Sequence, residues 1–256
     1  MKMTSYARCS LAVMAATLLL WAAPAGAQTA GDLVAKNLAA RGGAEKLAAL
    51  QSVEFVGKIV VGGDFELGYK EIRSRTGPSV RYDLTLQGIT QVQAYDGKMA
   101  WRVDPFGGRR DAERMPADDA RALADGGTID GPLLSARADG STVAYLGRED
   151  FDGTDAYKLR VVQKDGAEYT YYLDPDTYLE IKVVEERTLR GARQVNTSEY
   201  GDYELVNGVY FPFSISTQSG NLGPYGGEKI TIASARANIS PGAATFAMPP
   251  SPPSSK

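Results

Sequence analysis

The segment from residue 169 to residue 216 constrains the fold most strongly, because it consists of successive alternating stretches separated by recognisable turns. Leu179, Ile181 and Val183 alternate with charged residues, and residues 211–215 alternate between apolar and polar in the same way. A period of two predicts a half-buried antiparallel sheet. Asp174-Pro175-Asp176-Thr177 predicts a type I turn, and Asn207-Gly208 predicts a type I′ hairpin. The segment is rich in sheet surface and contains no pair of catalytic side chains.

The same period extends over most of the chain. Residues 52–103 predict five strands in a meander, and residues 142–236 predict the remaining strands, giving about a dozen in total. A helix capped by Asp32 precedes the first strand. We therefore predict a mainly β fold of the α+β class, in which a large curved antiparallel sheet forms an incomplete β-barrel. The N-terminal helix and a helical insert are expected to cover its open side.

The helical insert lies between Asp104 and Gly140, where the alternation stops. Residues 116–124 predict a helix that Pro116 opens, with Asp118 and Asp119 near its positive end. A second short helix is predicted for residues 131–138. Two helices in one connection provide a cover for the sheet.

The first 27 residues have the pattern of a cleavable export leader. Lys2 and Arg8 precede an apolar run that is short for a bilayer span, and Ala25-Gly26-Ala27 forms a small-residue cleavage site. We expect cleavage after Ala27, a single domain over residues 28–248, and a Pro/Ser tail over residues 249–256 that cannot pack. No second apolar run of membrane-spanning length follows, so we expect an exported, soluble protein.

Composition removes several classes of function. The leader carries two of the 28 basic residues and no acidic residue, so the predicted mature chain has 26 basic and 31 acidic residues and a net charge of −5. A negative surface argues against nucleic acid as a partner. The sequence contains no histidine, and its single cysteine, Cys9, lies in the leader. Ser-His and Cys-His catalytic pairs and the usual zinc ligands are therefore absent, and we predict neither catalytic residues nor a metal or cofactor.

Several short motifs follow one another over nearly the whole predicted mature chain: Gly42-Gly43-Ala44-Glu45-Lys46-Leu47, Tyr95 to Trp101, Gly153 to Leu159, Tyr172 to Thr177 and Asn207 to Pro212. Their order resembles that of a known family, the LolA-like outer-membrane lipoprotein-sorting proteins of Gram-negative bacteria. The resemblance implies an unclosed, helix-capped barrel in the periplasm, whose hollow accepts acyl chains of a lipid or lipoprotein, for delivery to the outer membrane. It also implies an arginine inside the barrel that holds the helical lid, for which Arg73, Arg75 and Arg81 are candidates.

Nine side chains are predicted to line this apolar hollow. They are large apolar residues on the expected strands, in the insert and in the loop before Arg109: Tyr69, Tyr82, Leu84, Trp101, Phe106, Leu133, Leu134, Phe211 and Phe213. Four of them have an alternative interpretation. Trp101 could belong to an ordinary sheet core, Phe106 and the following Gly-Gly-Arg-Arg could form a solvated loop or a lip that meets lipid headgroups, and the two leucines could simply pack a helix on the sheet.

Two further hypotheses remain at this stage. The chain could be an envelope interaction or sensor module in which a sheet edge or the insert contacts another protein. It could also be a carboxylate-dependent hydrolase, for which Glu185-Glu186 and Asp118-Asp119 are the nearest paired carboxylates. Neighbouring residues on a strand point to opposite faces, so Glu185 and Glu186 are not expected to converge on one bond.

Overall fold

The computed structural model describes residues 28–220 and 227–250. The predicted leader and residues 251–256 of the predicted tail lie outside them. The helices are α1 (Ala30–Ala40), α2 (Ala44–Ala49), α3 (Ala117–Gly126) and α4 (Gly131–Asp139), and a 3-10 turn covers Ala243–Thr245. None of these described helices has the length and hydropathy of a membrane span.

Thirteen antiparallel strands form one sheet in the described part of the chain. They are β1 (Ser52–Val61), β2 (Phe65–Ser74), β3 (Ser79–Leu86), β4 (Ile89–Tyr95), β5 (Ala100–Asp104), β6 (Arg109–Arg114), β7 (Thr142–Phe151), β8 (Thr154–Val162), β9 (Glu168–Leu173), β10 (Glu180–Leu189), β11 (Ala192–Val206), β12 (Val209–Ser219) and β13 (Gly227–Ala237). The spatial order is β6-β5-β4-β3-β2-β1-β13-β12-β11-β10-β9-β8-β7. The sheet is therefore a meander whose first strand pairs with its last.

The sheet is an open half-barrel, because its edge strands β6 and β7 do not pair with each other. The connection between these two edges contains α3 and α4. Helix α3 packs against β3, β4 and β5, whereas α4 packs against β7 and β8 on the other side of the opening. The insert thus bridges the gap between the two edges, and the predicted half-barrel with its helical cover is confirmed.

The turn chemistry explains why the meander forms. Asn207 and Gly208 both have positive φ, of 50° and 84°, as a type I′ hairpin requires. Asp174 Oδ1 accepts hydrogen bonds from the backbone N–H groups of Asp176 and Thr177, which fixes the turn before β10. Both turns lie where the sequence places them.

Three details differ from the sequence-based expectation. Thr29, rather than Asp32, caps α1, and Asp32 closes a capping box with it from the N3 position. The residues after Asp104 form a hairpin, because Arg109–Arg114 is strand β6 and not part of a loop. The alternation through β10 is interrupted by a register shift between Glu180 and Lys182. This shift changes which side chains of β10 face the helices.

Candidate functional site

A cavity of about 240 Å³ lies between the concave face of the sheet and the helical insert. Strands from both halves of the meander contribute to it, as do residues of α3 and α4. Its apolar lining comes from Phe55, Ile129, Val183, Phe211, Ile215 and Ile232. Phe55 and Phe211 meet edge to face with ring centroids 5.3 Å apart, which gives this part of the cavity an aromatic wall.

Strand β2 places a polar group in the cavity wall. Tyr69, Glu71 and Arg73 share the concave face because they alternate along the strand. The Tyr69 hydroxyl donates to Glu71 Oε2 at 2.7 Å, and Arg73 Nε donates to Glu71 Oε1 at 2.5 Å. Burial alone would lower the pKa of Arg73, but the Glu71 carboxylate raises that pKa overall. Arg73 is therefore held in its charged form.

A second charged group surrounds Arg187, whose side chain is only 6% exposed. Its guanidinium donates to the carboxylates of Glu185 and Asp125 and to the hydroxyl of Tyr169. Burial raises the pKa of Asp125, although the positive charge of Arg187 acts in the opposite direction. Because Asp125 belongs to α3 and Arg187 to β10, this ion pair ties the helical insert to the sheet.

Two backbone irregularities bring Glu180 and Tyr203 together. The register shift between Glu180 and Lys182 allows Glu180 to line the cavity together with Val183 and Glu185. On the neighbouring strand, Asp202 has a positive φ of 50°, and Tyr203 follows it into the cavity wall. The Tyr203 hydroxyl donates to the Glu180 backbone oxygen at 2.7 Å and lies 3.2 Å from its Oε2 atom.

The last two residues of α3 and the residues that join it to α4, 125–130 together, are held by arginines and are called the lid turn below. Arg73 Nη1 donates to the backbone oxygen of Thr128 at 3.1 Å, and Arg41 Nη1 donates to that of Asp130 at 2.9 Å. Arg75 pairs with the Asp130 carboxylate through two nitrogens. With Arg187 on Asp125, four arginines hold this short segment against the sheet.

Among the three candidate lid arginines, Arg73 and Arg75 contact the lid turn and Arg81 does not. Arg81 donates to Asp83 Oδ1 at 2.8 Å and to the backbone oxygen of Thr245 at 2.9 Å. Its guanidinium lies over the Trp101 ring, 5.9 Å from the centroid. Arg81 therefore contacts the C-terminal segment and not the insert.

The predicted cavity residues are distributed over several places. Phe211 lines the cavity, and Leu133 packs in a second apolar cluster with Leu33 of α1. Five others belong to the central apolar cluster and are not among the residues that line the cavity: Tyr69, Tyr82, Leu84, Leu134 and Phe213. Leu133 and Leu134 thus pack α4 onto the sheet without lining the cavity.

Trp101 and Phe106 lie elsewhere. Ala100 packs with Leu123 of α3, so the neighbouring Trp101 points to the opposite, convex face. There its indole nitrogen donates to the backbone oxygen of Phe246 at 2.7 Å. Phe106 lies in the β5–β6 hairpin turn with 44% of its surface exposed. In this conformation neither side chain borders the cavity between the sheet and the insert.

The charged side chains of the cavity were missed by sequence reasoning, although one signal for them exists. The run Tyr-Lys-Glu-Ile-Arg-Ser-Arg at residues 69–75 repeats polar groups at every second position, which places four of them on one face of a strand. The role of Glu180 has no such signal, because it depends on the irregular register in β10. Of the carboxylate pairs considered from the sequence, Glu185 faces Arg187 whereas Glu186 pairs with Arg193 on the other face.

Comparisons with known proteins identify the fold. No protein-family model and no curated protein sequence matches the chain. Solved structures do match. An outer membrane lipoprotein-sorting protein domain from Vibrio parahaemolyticus has 11% identity and a TM-score of 0.54, over 83% of this chain and 97% of that one. A LolA superfamily protein from Nitrosomonas europaea has 14% identity and a TM-score of 0.56, over 86% and 98%.

A third solved structure, a DUF1329 family protein from Desulfovibrio piger, has 13% identity and a TM-score of 0.54, over 85% of this chain and 97% of that one. All three matches extend over most of both chains, so they concern the whole half-barrel and not a single motif. The expected resemblance is thereby confirmed at the level of the fold. The chain has the LolA-like fold of the outer-membrane lipoprotein-sorting proteins.

Proposed function

We propose that the chain is a periplasmic binding protein that holds an acyl chain of a lipid or lipoprotein in the cavity beneath its helical insert. The observation that carries the proposal is the cavity itself, which lies on the concave face of an open sheet. The LolA-like fold supports a lipid as the occupant, and the predicted export leader supports the periplasm. Delivery of the bound lipid to the outer membrane is part of the same proposal.

Apolar burial supplies the driving force in this proposal. Transfer of one methylene from water into an apolar site stabilises by about 0.8 kcal/mol. Phe55, Phe211 and Ile232 offer such a surface at one side of the cavity. An acyl chain could therefore bind usefully without a specific polar contact along its length.

Loading requires the insert to move. The cavity of about 240 Å³ is smaller than the ~300 to 1,000 Å³ that is usual for small-molecule sites. The lid turn is held mainly through arginine side chains that bond to backbone oxygens and to Asp130 and Asp125. Such polar contacts can exchange for water when the insert lifts, so the described conformation is the closed one in this proposal.

Filling the cavity with a side chain tests the proposal. Ser198 lines the cavity, whereas Thr197, its neighbour on β11, lies by a different depression on the sheet. Ser198→Phe should weaken binding of a fluorescent fatty acid by about tenfold, because the new ring occupies space that the acyl chain needs. Thr197→Phe is the matched control and should bind as the wild type does.

Equal fatty-acid binding by the wild type and Ser198→Phe, with both variants folded, would contradict this location of the site. Capture of one envelope protein by a chain that binds no fatty acid would instead favour the interaction-module hypothesis. The two readouts are independent, since one titrates a lipid probe and the other identifies a protein.

A further inference from the structure

The charges in the cavity wall do not balance. Two arginines line the cavity, Arg41 and Arg73, and a third, Arg187, pairs with two of its lining carboxyl groups. They face four carboxyl groups, those of Glu71, Asp125, Glu180 and Glu185. If all are ionised, the four carboxyl groups and these three arginines together carry one negative charge in excess. An excess charge that is partly removed from water is costly unless a counter-ion or a ligand group compensates it.

One of the lining carboxyl groups has no arginine partner. Glu71 pairs with Arg73, and both Glu185 and Asp125 pair with Arg187. Arg41 donates to the backbone oxygens of Ile129 and Asp130. Within the described residues, the Glu180 carboxylate makes no ion pair and accepts its side-chain hydrogen bond from the neutral Tyr203 hydroxyl.

Phenol side chains surround this carboxylate. Tyr171, Tyr200 and Tyr203 line the same cavity, and the charge of Glu180 acts on the hydroxyl of each. Burial first, and then the charge of Glu180, raises the pKa of Tyr200 to about 12, although a hydrogen bond with Ser198 acts in the opposite direction. The three phenols are therefore neutral at physiological pH and cannot add to the negative charge.

We propose that the ligand of this cavity carries a cationic amine head group, which pairs with Glu180 among the rings of Tyr171, Tyr200 and Tyr203. This inference rests on the proposed function, since it names the chemical class of the amphiphile whose apolar part fills the rest of the cavity. A carboxylate flanked by aromatic rings suits an ammonium group in two ways, through the ion pair and through attraction to the ring faces. The lining arginines offer less to an anionic head group, because Arg73 already pairs with Glu71 and Arg41 donates to backbone oxygens of the lid turn.

The test compares amphiphiles that share one chain and differ only in head-group charge. Dodecylammonium, dodecanol and dodecanoate are titrated below their micelle concentrations against the folded, exported chain by calorimetry. We expect dodecylammonium to bind about tenfold more tightly than dodecanoate, the size of effect that one charged hydrogen bond provides. Dodecanol, which has no charge, should lie between them.

Two isosteric variants locate the effect. Glu180→Gln keeps an acceptor for Tyr203 but removes the charge, so its preference for dodecylammonium over dodecanoate should fall to within about twofold. Glu186→Gln removes a charge from the same strand on the other face, where Glu186 pairs with Arg193, and should keep the wild-type preference. Comparison of both variants separates the cavity charge from the net charge of the protein.

The outcomes distinguish this inference from the proposed function. Equal affinity of the wild type for all three amphiphiles, or a preference for dodecanoate, would overturn the amine inference and leave acyl-chain binding intact. A preference that survives in Glu180→Gln would overturn the role of Glu180. Absence of binding by all three would overturn the proposed function and the inference together. The head-group comparison on the wild type needs no variant, so it is decisive even if Glu180→Gln does not fold.

Discussion

Arg73 Nη1 donates a hydrogen bond of 3.1 Å to the backbone oxygen of Thr128, and so links a strand in the wall of the half-barrel to the lid turn. The same guanidinium binds Glu71 on its own strand through Nε. Arg73 can do both because its donors are fixed in a planar fork that points in two directions. The contact therefore links the ion pair between Arg73 and Glu71 to the helical insert.

Replacement of Arg73 by lysine should loosen the lid turn without leaving Glu71 unpaired. A lysine keeps a positive charge beside Glu71 but lacks the second arm that reaches Thr128. We expect deuterium uptake at the backbone amides of residues 125–130 to become about tenfold faster, measured by hydrogen exchange with mass spectrometry. Arg81→Lys is the control, because Arg81 contacts Thr245 on the convex face, and it should leave that uptake unchanged. Identical uptake in both variants would argue against the Arg73 contact as a latch.

Loss of Arg187 should cost much more stability than loss of an exposed arginine. Arg187→Ala leaves Glu185 and Asp125 without their cation in a buried place, which typically costs about 3 to 5 kcal/mol in the free energy of unfolding. Arg160→Ala removes an exposed arginine that pairs with Glu168 in solvent and should cost much less than the loss of Arg187. Urea unfolding of both variants measures the difference. A cost below 1 kcal/mol for Arg187→Ala would show that its charge network does not stabilise the fold.

Glu54 should make the stability depend on pH on the acid side. Burial alone would raise its pKa, but hydrogen bonds from Lys70 and Arg236 bring the pKa below its ordinary value of 4.5. A lowered pKa in the folded state stabilises the fold above the unfolded value, and this contribution is lost as pH falls through the folded value. Glu54→Gln should therefore be less stable than the wild type at about pH 7, and the gap should close at about pH 3. Thermal unfolding of both proteins across this pH range measures the difference in their stability. A difference that does not change with pH would contradict the role of Glu54 in the pH dependence.

Gly42 should tolerate no side chain, in contrast to its neighbour Gly43. Both glycines have positive φ, of 123° and 90°, so alanine strains the backbone at either position. A Cβ atom at Gly42 would also overlap the backbone oxygen of Gly208 in the β11–β12 hairpin, whereas at Gly43 it would meet no atom within 4 Å. Gly42→Ala should thus lose about 1 to 3 kcal/mol more than Gly43→Ala in urea unfolding. Equal losses would mean that the turn after α1 can move away from the hairpin.

Much of the fold could be predicted because its signals are local. Alternation of apolar residues defines the strands, and turn residues such as Asn207 and Gly208 define where they reverse. Strand β6 escaped prediction because Arg109–Arg114 carries charges on both faces, and only its pairing with β5 shows that it is a strand. A strand with this composition shows no alternation of apolar and polar residues from which it could be predicted.

The cavity was harder to predict than the sheet, for two physical reasons. The sequence does not reveal which face of the sheet is concave. The pattern therefore predicts Trp101 in the cavity, whereas its side chain lies on the convex face, where it contacts Phe246. The register shift beside Glu180 then moves one carboxylate inward, against the simple alternation of β10. Phe211, in contrast, follows the regular alternation of β12 and lies where the pattern predicts.

Native mass spectrometry of the full chain, expressed with its predicted leader in a Gram-negative host, is the decisive test of acyl-chain binding. We predict a protein that carries an adduct with the mass of a lipid, which organic solvent extracts and which the Ser198→Phe variant does not retain. The extracted molecule would also identify its head group. Recovery of the wild-type protein at its bare polypeptide mass, folded and with its cavity empty, from cells in which a known lipid carrier stays loaded, would contradict the claim that this half-barrel holds an acyl chain.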